Sequence, residues 1–116
     1  MSADYWVERD GNPVRVDFDE YVSSRPSAGG RRVAEDWAEG YWISTVFLGV
    51  DHQFGPGPPL LYETMVFPVT EDGHTSYIEA YCDRYSTREQ AAKGHKRIVE
   101  KLRAGELDLY VYEDAE

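Results

Sequence analysis

Apolar residues recur along this chain with two periods, two residues and three to four, and the switches between them outline a fold. "DYWVERDGNPVRVDF" (4–18) reads as a short hairpin. An aromatic and β-branched run meets an Asp10-Gly11-Asn12-Pro13 turn, after which Val14 and Val16 alternate with charges. Asp17 and Glu20 then form an acid-x-x-Glu capping pair, which predicts a short helix over 18–24. Arg25-Pro26 ends it, because the residue before proline avoids helical geometry, and Ser27-Ala28-Gly29-Gly30 suits a flexible joint.

Residues 31–38 fit either a short helix or a strand, through Val33 and Trp37. Gly40 stands where a tight turn would join them to 42–50, which favours a hairpin. From Trp42 to Val50 the run is almost continuously apolar and rich in strand formers, so it predicts a central strand buried on both faces. "QFGPGPP" (53–59) is a rigid loop, residues 60–68 the partner strand closed by Pro68, and Asp72-Gly73 a second turn. "SYIEAYCDRYS" (76–86) alternates, which places Tyr77, Glu79, Tyr81, Asp83 and Tyr85 on one face. Ser86 and Glu89 form a capping box for a long helix whose apolar stripe is Ala91, His95, Ile98 and Leu102, with Gly105 closing it. "LDLYVYE" (107–113) reads as a last edge strand. The expectation is one α+β domain. It has an antiparallel sheet of four to six strands, one long C-terminal helix packed across one face and a short N-terminal helix.

Composition narrows the function classes. Hydrophobic residues make up 41% of the 116 and aromatics 14%, enough for a core. No apolar run approaches a membrane span, and the acidic, polar start "MSADYWVERDGN" is unlike a secretory signal. A single cysteine, Cys82, fits a reducing cytoplasm and reads as a buried, inert strand thiol. The formal charge is −10. Between residues 41 and 86 stand six acids against one base, Arg84, which argues against binding nucleic acid. Spread as they are, the acids serve solubility, or alternatively dock on a basic partner.

Candidate chemistry gathers at Asp51, His52, Glu63 and His95, the right material for a divalent-metal site or acid–base work. The spacing lacks every familiar metal signature, and the proline-loaded "GPGPP" loop lacks the backbone donors of a phosphate cradle. Plainer readings stand beside these. Asp51-His52 caps a loop, His95 is a hydrogen-bonded core histidine, and His74 is a turn residue. Glu63 is the hardest to account for, because a carboxylate in an apolar strand needs a donor; Arg84 or His95 would supply one. Nine tyrosines and three tryptophans offer a binding surface, with Tyr77, Tyr81 and Tyr85 beside Glu79; the same rings also suit a core beneath the helix.

The run "STVFLGVDHQFGPGPPLLYETMVF" (44–67) and "RYSTREQAAKGH" (84–95), with "NPV" (12–14) and "RRVA" (31–34), resembles a widespread group of small uncharacterised proteins of bacteriophages and actinobacteria. The resemblance covers most of the chain, carries no catalytic residue over, and supports the hairpin at 31–50. It implies a phage or prophage accessory gene acting in a host cytoplasm. The expected function is non-enzymatic binding of a basic host protein surface or a small signal molecule, in a counter-defence or host-takeover role. Asp51, His52, Glu63, Tyr77, Glu79, Tyr81, Tyr85 and His95 are the candidate binding residues. Neither a cofactor nor a resident metal is expected, and a homodimer fits the same surfaces. The runner-up is a small metal-dependent hydrolase built on Asp51, His52, Glu63 and His95.

Overall fold

The structure, a computed structural model, describes residues 5–24, 31–51, 53 and 55–110. Along these residues run β1 (Tyr5–Arg9), β2 (Asn12–Val16), α1 (Phe18–Ser23), β3 (Arg32–Ala38), β4 (Tyr41–Phe47), β5 (Tyr62–Pro68), β6 (Tyr81–Tyr85) and α2 (Arg88–Ala104). The class is α+β, as the periodicities imply. β3, β4, β5 and β6 form an antiparallel sheet in chain order, while β1 and β2 make a separate two-stranded hairpin, joined to the chain after β4 by a single bridge from Tyr5 to Val50. Both of these short hairpins turn on an acid-glycine pair with positive φ at each residue, Asp10-Gly11 (52° and 79°) and Glu39-Gly40 (53° and 80°). That geometry matches the right-handed twist of the flanking strands, and of residues 31–38 the stretch Arg32–Ala38 is strand, paired with β4. Asp17 caps α1, its carboxylate accepting from the Glu20 N–H at 2.8 Å.

The helix α2 lies across one face of the sheet. Its capping box is Thr87 with Gln90, one residue later than the Ser86–Glu89 pair the sequence suggests. Thr87 is the last extended residue, and the Gln90 amide oxygen accepts from the N–H groups of both Ser86 and Thr87. The expected stripe is buried, with Gly94 and Val99 beside it, and Gly105 ends the helix in the left-handed conformation. Two apolar clusters fill the interface. Ile43, Val66, Ile98, Val99 and Leu102 form one; Phe47, Leu61, Tyr62, Tyr85 and Ala91 form the other. Removing such a side chain from water contributes about 1.5–3 kcal/mol. Thr45 on β4, Thr64 on β5 and His95 on α2 are buried and hydrogen-bonded to one another, a polar layer inside an apolar interface.

The opposite face of the sheet has no helix on it. On β4 the inward residues Ile43, Thr45 and Phe47 are buried, but outward Trp42 and Val46 are only half-buried, so the strand is not enclosed on both sides. A second departure lies before β6. Thr75 pairs with Val69 and Tyr81 with Val66, so six steps along one strand span three along its partner. The excess loops outward at 77–79, and the tyrosine face expected from Tyr77 to Tyr85 is broken there. After α2, residues 106–110 make no strand. The Tyr110 N–H donates to the Ala80 carbonyl at 2.7 Å while Leu107 and Leu109 pack on the core; 111–113 lie outside the described residues, as does 27–30.

The β1–β2 hairpin docks at the start of α2. The Trp6 N–H donates to the Gly49 carbonyl at 2.8 Å, and a Cβ on Gly49 would stand 2.9 Å from the Tyr21 ring, so backbone approaches side chain too closely for any other residue. Glu8 completes the joint, accepting from the Tyr62 hydroxyl at 2.6 Å and from Arg88 Nη1 at 3.0 Å. Gly94 plays the same part in the core, because a Cβ there would meet Tyr85 ring atoms at 2.3–2.4 Å. Gly94→Ala is therefore expected to destabilise the protein by about 1–3 kcal/mol through overpacking. This reverses the usual helical preference for alanine, worth about 1 kcal/mol. Urea unfolding checks it: a midpoint equal to or above wild type would mean that Tyr85 gives way freely.

Candidate functional site

Of the sequence-derived candidates, Asp51, Glu63 and His95 each have different partners. Asp51 caps its loop, Oδ1 accepting from the N–H groups of Gln53 at 2.7 Å and Leu60 at 2.9 Å, and so ties both ends of the Gly/Pro segment together. His52 lies outside the described residues. Glu63 is 7% exposed and faces Arg84, its direct partner across β5 and β6, with Arg84 Nε donating to Oε2 at 2.9 Å. The Cys82 thiol, beside them on the same face, donates to that oxygen at 3.6 Å. His95 lies on the other side of the sheet, since its partner Thr45 pairs with Thr64, the neighbour of Glu63, and successive strand residues point oppositely. The hydrolase reading needs Glu63 and His95 together, and the sheet separates them. Among the described residues no group of three or more His, Cys, Asp or Glu side chains is placed to hold a metal.

The tyrosine candidates divide as well. Tyr77 is fully exposed in the outward loop, with Glu79 half-buried near it. Tyr81 and Tyr85 share the inner face of β6 and pack into the two apolar clusters, so they belong to the core. His74 is an exposed turn residue 3.8 Å from Asp72.

His95 organises a chain of polar groups that motif spacing does not reveal. The ring is 3% exposed. Nε2 lies 2.7 Å from Asp36 Oδ2, Nδ1 lies 2.7 Å from Thr45 Oγ1, and Thr45 Oγ1 lies 2.5 Å from Thr64 Oγ1. The Tyr85 hydroxyl donates to Thr64 Oγ1 at 3.2 Å. With the Asp36 carboxylate as acceptor, Nε2–H donates to it and Nδ1 accepts from Thr45. Thr64 then donates to Thr45 and accepts from Tyr85, so every hydroxyl donates once. Acid, imidazole and hydroxyl in that order resemble a nucleophilic triad. Here, however, both threonines are fully buried beneath α2, with no route for a substrate. The chain satisfies buried polar groups and fixes how the helix sits. Asp36, Thr45 and Thr64 were missed because the signal was indirect: a histidine on an apolar stripe requires partners, but only the strand register names them.

Burial also governs the acidic protons. It pushes the Cys82 thiol up to about 12, with Glu63 adding to the effect, so the cysteine is a poor nucleophile at neutral pH. Tyr85 rises to about 12, mainly by burial, and burial together with Glu8 raises Tyr62 further.

The outer face of the sheet carries a different arrangement. Trp37, Trp42 and Phe67 stack across β3, β4 and β5, with centroids 5.8 and 5.4 Å apart and planes within 28°. The Arg32 guanidinium lies over the Trp42 ring at 5.6 Å. Glu35 binds both, accepting from Trp42 Nε1 at 2.7 Å and from Arg32 Nη1 at 3.2 Å. Trp37, on the edge strand, is 57% exposed. Beyond β5, a cleft of about 460 Å³ runs past Met65, Cys82, Arg84 and Tyr110.

Two outcomes test this layout. His95→Ala, which removes the acceptor of the buried Thr45 hydroxyl, is expected to cost about 2–3 kcal/mol, and Asp36→Asn, half-exposed and still an acceptor, under about 1 kcal/mol. Equal urea midpoints for wild type and His95→Ala would refute the pinning role. Ionisation of Cys82 and Tyr85 is favoured in the unfolded chain, whose thiol titrates near its ordinary 9.0, so stability should fall as pH rises from about 9 toward 12. A urea midpoint at pH 10.5 no lower than at pH 7.5 would contradict this.

No family model, curated protein or solved structure matches the chain.

Proposed function

We propose that this protein works by binding another protein through the outer face of the β3–β6 sheet. The observation that carries the reading is the Trp37–Trp42–Phe67 stack, laid across three strands on the face that α2 leaves open. Tryptophan gives large, rigid contact area at small entropic cost and dominates the energetics of many interfaces. The stack needs no further support to stay ordered, because Glu35 and the Arg32 guanidinium hold Trp42 in place. Such a face is preorganised, which lowers the entropic cost of association. No helix among the described residues is long and apolar enough to cross a membrane. The resemblance to phage and actinobacterial proteins supports placing this binding in a counter-defence or host-takeover setting.

The test compares wild type with Trp37→Ser. Because Trp37 is largely exposed, the substitution should leave stability within about 0.5 kcal/mol, while removing a hot-spot side chain costs about 2 kcal/mol of affinity. A partner recovered from a bacterial host lysate on immobilised wild type should bind the variant about 30-fold more weakly by calorimetry, the equivalent of that energy. Equal affinity for both would move the binding surface elsewhere.

A further inference from the structure

We infer that the occupant of the stack is a cationic protein segment, with an arginine side chain continuing the row of rings over Trp37; this rests on the outer face being the binding surface. The sheet already contains the unit such a partner would repeat. On Trp42 a guanidinium lies over the indole, and one carboxylate binds both the guanidinium and the indole N–H. Trp37 is the next ring in the row, mostly exposed, and among the described residues no cation stacks on it.

Apart from Arg32, which lies over Trp42 and is already paired with Glu35, the charged groups near that ring are acidic. Between Arg32 and Arg84 the sequence has no lysine or arginine and nine acids. Glu39 occupies the turn two residues beyond Trp37, and Glu71 and Asp72 lie in the turn after β5. The Val69 N–H donates to the Gly40 carbonyl at 2.9 Å, which holds the two turns side by side at the Trp37 end of the sheet. Exposed carboxylates beside an indole face favour a cation there, through ring quadrupole and Coulomb attraction together. A neutral apolar segment would desolvate those carboxylates without pairing them. A second copy of the chain would bring another net charge of −10 against the first, and a nucleic acid would bring phosphates.

The experiment titrates the whole protein with three ten-residue peptides in which glycine alternates with arginine, lysine or citrulline. Tryptophan fluorescence and calorimetry at 0.15 M salt read the binding. The arginine peptide should bind most tightly and change the tryptophan emission. Trp37→Ala, which leaves the net charge unchanged, should weaken it about fivefold, and Trp37→Phe, which keeps a ring, should weaken it less. Glu39→Gln should also weaken it. Equal affinity for wild type and Trp37→Ala would overturn the inference, since attraction would then be that of overall charge. Citrulline binding as tight as arginine, and lost in Trp37→Ala, would overturn it too, while leaving the outer face as the binding surface. A wild-type dimer in sedimentation that Trp37→Ala dissociates would overturn it in favour of self-association. If Trp37→Ala fails to fold, the Trp37→Phe and Glu39→Gln comparisons decide the matter.

Discussion

A histidine bonded at both ring nitrogens inside a helix–sheet interface constrains everything packed around it. His95 must meet Thr45 on β4 and Asp36 on β3 at once, each at 2.7 Å, and Thr45 must meet Thr64 on β5. Apolar contacts alone would let α2 slide or rotate over the strands at little cost, because they are non-directional. A mispaired imidazole and two stranded hydroxyls in a water-free layer are expensive, so one placement of the helix dominates. The layer also divides the core, with the Ile43 and Phe47 clusters on either side. Gly94, next to His95, exists for the same placement: the helix comes down where only a hydrogen fits above the Tyr85 ring.

Once α2 is committed to one face, the other face of a four-stranded sheet has no partner within the described residues. Charged groups there pair within the layer, Glu63 with Arg84 and Glu35 with Arg32 and Trp42, while Arg32 Nε is left buried without a partner. These pairs are partly exposed, and ion pairs of that kind add little stability. Their effect is orientation: the first aligns Arg84 with Glu63 across β5 and β6, and the second holds the Trp42 ring. Under the proposed binding role, a net charge of −10 would repel acidic partners and so narrow the choice toward basic surfaces.

Much of the fold was legible from residue order because the relevant signals are local. Period-two runs marked the strands, acid-glycine pairs marked the turns, and the stripe from Ala91 to Leu102 marked α2 and its buried face. The misreadings have one physical source. Ser86 and Thr87 are both acceptable caps, and the choice depends on where β6 releases the chain. The alternation from Tyr77 to Tyr85 looked continuous, yet the loop at 77–79 is set by pairing with β5, which residue order does not encode. Glu63 could be recognised as needing a donor, and Arg84 was among the candidates; the register of β5 against β6 supplied it.

For the candidate site the division is sharper. Residue order by itself determined that the chain is acidic, aromatic-rich and α+β, and that His95 points inward. Each of these follows from residue type or from spacing within one element. Tertiary structure alone decided that Glu63 and His95 lie on opposite faces of one sheet, and that Asp36, Thr45 and Thr64 complete the buried chain. It also brought Trp37, Trp42 and Phe67 into one stack. Those are relations between elements, and a one-residue change in strand register reverses every one of them.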